Sequence, residues 1–175
     1  MTNKLLSLAF LIAAAGVASA MAEGPAMAVA LSPAAAGVEP EHSVVLSASD
    51  LLSLYSGKTW QWDKGGAYFK ADRSFVAFSN DGAAPTVATG RWTITDAGRL
   101  CLVAVWRAAG KAAPATTCFL HVRNGDTVYQ TPQRANPFWY AFAATGPANP
   151  QLKYLAAGDQ ISATYATLSK SIASK

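Results

Sequence analysis

Residues 90–122, GRWTITDAGRLCLVAVWRAAGKAAPATTCFLHV, decide the fold. Apolar and polar residues alternate over 91–95, Thr95-Asp96-Ala97-Gly98 supplies turn chemistry, and a β-rich run follows over 100–106. After a longer loop at 107–115 the pattern resumes over 116–122. Three consecutive strands with these connections read as part of an antiparallel meander. If the second and third pair as a hairpin, one register sets Cys101 opposite Cys118, and opposed residues of an antiparallel pair lie within disulfide reach. Two buried free thiols are the alternative, since the register is inferred from pattern alone.

Working outward, the N-terminus bears on that choice. Lys4 stands in a short start, residues 5–20 are an apolar run rich in Leu and Ala, and Ala18-Ser19-Ala20 is a small-x-small cleavage signal, with cleavage after Ala22 a second option. These are the parts of a secretory signal peptide over 1–20, and export to an oxidising compartment favours a disulfide over a metal or redox site. An uncleaved anchor is the competing view, but the run is short for a bilayer span. No cysteine follows the run to carry a lipid, so no stable membrane insertion is expected after cleavage.

Cleavage leaves about 155 residues, which suits one domain burying on the order of 70% of its unfolded-chain surface. The formal charge of +4 includes Lys4, and the other Lys and Arg are scattered singly. Nucleic acid is therefore not an expected partner, because phosphate binding needs a concentrated basic face.

Residues 21–46 form an Ala- and Pro-rich stretch without periodicity, a flexible leader. Ser47 followed three residues later by Asp50 suggests a capping box, and Leu51, Leu52, Leu54 and Tyr55 up to Gly57 make a helix of about two turns. Beyond it the chain gives candidate strands at 59–63, 67–71, 74–80, 86–95, 99–106, 116–123, 127–131 and 138–143, separated by turn residues such as Gly65-Gly66 and Asn124-Gly125. A mainly β domain over 47–143 follows: a single antiparallel meander closing into a small barrel of about eight strands, with a two-sheet sandwich as alternative. The final segment, 144–175, reads as a loop and a C-terminal helix capped by Asp159, with Ile161, Tyr165, Leu168 and Ile172 at helical spacing.

Alternation also assigns faces. Cys118, Leu120 and Val122, opposite Cys101, Val103 and Val105, are expected to face the core. The other face of the second strand, Leu100, Leu102, Ala104 and Trp106, is equally apolar and calls for a cover, which one of the two helices is expected to supply from the outer wall.

No catalytic or metal-binding motif is present, and no cofactor is expected. His42 lies in the leader and His121 on the less apolar face of its strand; Asp63 is the one acid at a strand end beside aromatics. The five tryptophans stand out. Aromatics can line a barrel mouth as a small-molecule site or fill a small barrel as core, and size favours core. If one row is a site, it is Trp60 and Trp62 with Tyr68, Arg91, Tyr129 and Trp139, which would take a small apolar or glycan-like ligand.

The run Leu54-Tyr55-Ser56-Gly57-Lys58-Thr59-Trp60-Gln61-Trp62, with Gly66-Ala67-Tyr68-Phe69, Gly90-Arg91-Trp92, Gly98-Arg99-Leu100-Cys101, Trp106, Cys118-Phe119 and Trp139-Tyr140, resembles the domain of unknown function 995 family, exported alphaproteobacterial proteins. The resemblance covers roughly residues 50–143. It implies a periplasmic protein with a paired-cysteine β domain and implies no activity. The meander is also similar to lipocalin-like and avidin-like barrels, an analogy of architecture that licenses no ligand. The functional expectations are a non-enzymatic periplasmic barrel binding a small ligand; alternatively a structural or interaction component of the cell envelope with a filled barrel; and, as an outsider, a hydrolase using Asp63 or His121.

Overall fold

The computed structural model describes residues 37–81, 84–144 and 155–174. The expected signal peptide over 1–20 and residues 21–36 of the leader lie outside them, as does most of the loop after residue 144. Among the described residues the chain forms β1 (Val44–Val45), α1 (Ala48–Tyr55), β2 (Lys58–Trp62), β3 (Gly65–Phe69), β4 (Ser74–Ser79), β5 (Thr86–Ile94), β6 (Arg99–Ala108), β7 (Lys111–Asn124), β8 (Thr127–Pro132), β9 (Tyr140–Ala144), β10 (Leu155–Ala157) and α2 (Ser162–Ala173). None of these helices is long and apolar enough to cross a membrane.

The strands pair antiparallel in the order β10-β2-β3-β4-β5-β6-β7-β8-β9, a sheet that curls until it nearly closes into a barrel of about nine strands. At the seam β2 and β9 meet through side chains, with the rings of Trp60 and Phe142 edge to face at 5.3 Å between centroids. The expected small antiparallel barrel is borne out, with β10 joining beside β2. Val44 and Val45 of the leader also pair, with Arg123 and Val122 of β7. They take the edge that β6 vacates, because the β6 ladder on β7 ends at Arg99 opposite Leu120.

The capping box forms as read: the Ser47 hydroxyl accepts from the Asp50 N–H, and the Asp50 carboxylate accepts from the Ser47 N–H. The helix turns Leu51 and Tyr55, one turn apart, into the barrel and closes the end that carries the β5–β6 turn, where Asp96 accepts from the Ala48 N–H. The N-cap of α2 is Ile161 rather than the expected Asp159, which lies two residues ahead and accepts from the N–H groups of Ile161 and Ser162.

The hairpin register is also as expected. Cys101 and Cys118 are bonded, 4.1 Å apart at Cα, the close spacing of a non-hydrogen-bonded pair. The hairpin is longer than its composition suggests, since pairing continues to Ala108 opposite Lys111 and only Ala109-Gly110 turns. The Ala-rich stretch read as a loop is strand because β6 supplies its ladder. Counting from the cysteines, Pro114 falls at another non-hydrogen-bonded position, so its missing N–H faces the edge that β8 does not reach.

The assignment of faces is overturned. Leu100, Leu102, Ala104 and Trp106 of β6 and Phe119 and His121 of β7 are buried inside, while the cysteines, Val103 and Val105 face outward; of the row expected in the core Val122, paired with Val45 of β1, is buried and Leu120 half-buried. Both rows are apolar, but the one with Trp and Phe removes far more area from water, at about 25 cal/mol per Å². The expected helical cover over β6 does not form either. Instead α2 lies on the outer wall of β4 and β5, where it covers Val87 and where Ile161 packs on Gly66 of β3. One helix thus packs on the outer wall as expected, and the other closes an end.

Candidate functional site

The six residues singled out as a ligand row divide between faces. Trp60 and Trp62 share the inner face, with centroids 6.1 Å apart, and both are buried. Tyr68, Arg91 and Tyr129 alternate with inward residues of β3, β5 and β8 and stand on the outer wall. Arg91 donates there to the backbone carbonyl of Asp72. Trp139, half-buried, exchanges backbone hydrogen bonds with Gly37 just ahead of β9. The structure therefore brings two of the six together, and Asp63 lies exposed in the β2–β3 turn.

What fills the barrel is a set of rings. Trp60, Phe69, Phe75, Trp92, Phe119 and Phe142 are buried, and Trp60 touches both Phe119 and Phe142 edge to face. The Trp92 indole N–H donates to the Lys70 carbonyl, whereas Trp62 Nε1 is the buried side-chain polar atom left without a partner among the described residues.

Beside these rings, at the α1 end, sits a polar group that was not anticipated. His121 Nδ1–H donates to the Gly98 carbonyl at 3.0 Å, which leaves Nε2 to accept from the Tyr55 hydroxyl at 2.7 Å. Gln130 Nε2 donates to the Tyr55 oxygen at 2.8 Å, and the Tyr140 hydroxyl donates to Gln130 Oε1. Every member is thereby paired, as a buried network requires. Burial pushes the His121 pKa down to about 4, against a smaller opposing effect of the Gly98 carbonyl, so the imidazole is neutral at pH 7. Burial, reinforced by Tyr140, raises Tyr55 well above the usual phenol range, and burial raises Tyr140. The one signal for this network in the sequence is that Gln130 is in phase with Val128 on β8 and Tyr55 with Leu51 on α1. Chemically it is a neutral, sealed relay: His121 is 1% exposed and its acceptor nitrogen is already engaged, which leaves no base for a substrate.

An open groove of about 400 Å³ lies outside that network, between α1, the β7–β8 turn and β9. Leu46, Leu54, Val128 and Ala143 form its floor, and Asp50, Lys58, Arg123 and Asp126 its rim. Asp50 and Arg123 pair at 3.5 Å across it. The Ser47 hydrogen bonds, with help from Arg123, hold the Asp50 carboxyl below the usual range. Among the described residues no group of three or more His, Cys, Asp or Glu is arranged to hold a metal ion.

The sequence matches the family described as Protein of unknown function (DUF995) over residues 10–161. The chain belongs to the DUF995 family. In this DUF995 protein the match takes in β1 through β10 together with α1 and stops at Ile161, one residue before α2. Neither a curated protein nor a solved structure matches the chain.

Proposed function

We propose that this DUF995 protein is exported to the periplasm and works there, without catalysis, as a filled barrel that touches other components of the cell envelope through its outer surface. The observation that carries this reading is the interior: interlocked aromatic rings and a fully paired polar network occupy the space a ligand would need. The apolar start and small-x-small site support export, and the Cys101–Cys118 bond is consistent with an oxidising compartment. Native mass spectrometry of the protein secreted through its own signal tests this. The expected mass is that of a chain cleaved after Ala20 or Ala22, oxidised and bare, and crosslinking in cells is expected to capture an envelope component. A chain that keeps residues 1–20, or is captured with nothing, overturns it.

A second reading, a small apolar or glycan-like ligand, is favoured by the groove at the α1 end, whose apolar floor and charged rim are the composition of a small-molecule site. A retained mass that is lost on Leu54→Arg, with the fold intact, would establish it.

A further inference from the structure

The outward row of β6 reads Arg99, Cys101, Val103, Val105, Arg107: an arginine at each end, two bare valines and the disulfide between. Val103 is 51% and Val105 36% exposed, because α2 stops over Val87 one strand away. Register sets Arg91 and Thr116 beside Val103, and Thr89 and Pro114 beside Val105. Strands β4 to β7 contain neither Asp nor Glu; the acids between residues 74 and 124 are Asp81 and Asp96, both outside the strands. Arg107 is held along the wall by Thr89 Oγ1 at 3.2 Å and Arg91 by the Asp72 carbonyl at 3.2 Å, with the Asp72 carboxylate in the β3–β4 turn the acid that feels Arg91. The ion pair found among the described residues, Arg123–Asp50, lies elsewhere, at the α1 end. Lys111 adds a further cation at the hairpin tip.

We infer that this wall of β5, β6 and β7 docks on an anionic lipid surface. The inference rests on the surface-contact reading above and names the partner. Surplus positive charge selects an anionic partner, and guanidinium forks match phosphate oxygens. The valines between the arginines select a partner that offers apolar area between its charges, which a headgroup layer over acyl chains does and a solvated acidic polypeptide does not. The disulfide ties β6 to β7 within this wall, so the strands that carry the arginines and the valines stay in one sheet.

The test uses the full mature chain and sedimentation with vesicles of phosphatidylcholine, with or without a third of phosphatidylglycerol. Binding is expected only with phosphatidylglycerol and to weaken as salt is raised. Arg91→Gln and Arg107→Gln should each weaken it about fivefold, the share of one charge near such a surface. Val103→Thr should weaken it while preserving strand propensity, whereas Lys64→Gln, exposed in the β2–β3 turn and separated from the wall by β4 in the strand order, should not. Near-ultraviolet circular dichroism checks that each variant is folded. Equal binding to neutral vesicles, or binding indifferent to Arg91 and Arg107, overturns the inference. Binding of soluble polyglutamate with the same arginine dependence and none to vesicles also overturns it, yet leaves the surface-contact reading standing; a ligand retained within the chain would instead overturn that reading.

Discussion

His121 shows how one side chain ties the barrel to pH. Its imidazole titrates near 6.5 when unfolded and about 4 in the interior, so between those values the unfolded chain takes up a proton that the fold refuses. Stability is therefore complete above pH 6.5 and falls as pH drops towards 4, by about 3 kcal/mol for a shift of this size. Urea unfolding across that range is expected to give this slope, and His121→Gln to flatten it. Tyr140→Phe tests the other end of the relay: it strands the Gln130 Oε1 acceptor and is expected to cost about 1–3 kcal/mol in the same assay, whereas a network held by rearrangement would lose less. Neither role was readable from the chain, because in β7 the phase of Cys118, Leu120 and Val122 is the more apolar one, and His121 shares the other with Phe119, whose ring is buried inside. Alternation misleads where one large ring outweighs several smaller apolar side chains.

At the scale of elements, turn chemistry and caps were legible because they depend on neighbours in sequence: the Ser47–Asp50 box and the Gly57 ending are local. What depended on distant partners was not. The Ala-rich arm of β7 is strand because β6 lies beside it, and β10 is three residues of weak pattern held by β2. The hairpin of β6 and β7 is also where the covalent bond acts. It closes a loop with a sequence separation of 17, for which chain entropy gives about 3 kcal/mol. Cys101→Ala with Cys118→Ala is expected to lose about that much in denaturant titration and to become insensitive to reductant. A loss that reductant can still deepen would show that the bond is not the source.

For the whole molecule, the rhythm of short strands and turns sufficed for a barrel and the size argument for aromatic rings as its filling, while the face that each aromatic or charged residue takes was not legible. Of the six residues proposed as a ligand row, Trp60 and Trp62 are buried and in contact, and Tyr68, Arg91 and Tyr129 stand on the other side of the wall. Composition counts aromatic residues but does not say which side of a sheet they take. The seam adds a mechanical property. Among the described residues β9 and β10 share no backbone ladder, while each other neighbouring pair around the ring does. Such a ring is a cut hoop: its circumference can grow at the cut by letting rings slide, whereas across from the cut any growth must stretch hydrogen bonds. Added volume should therefore be tolerated unequally. Ala88→Val, inward on β5 opposite the seam, is expected to cost about 1–3 kcal/mol, and Ala143→Val, inward on β9, less than about 1 kcal/mol, as read from denaturation midpoints. Equal costs would mean that the cut carries no slack, and that the barrel wall is as stiff at its seam as it is where the strands are bonded all along.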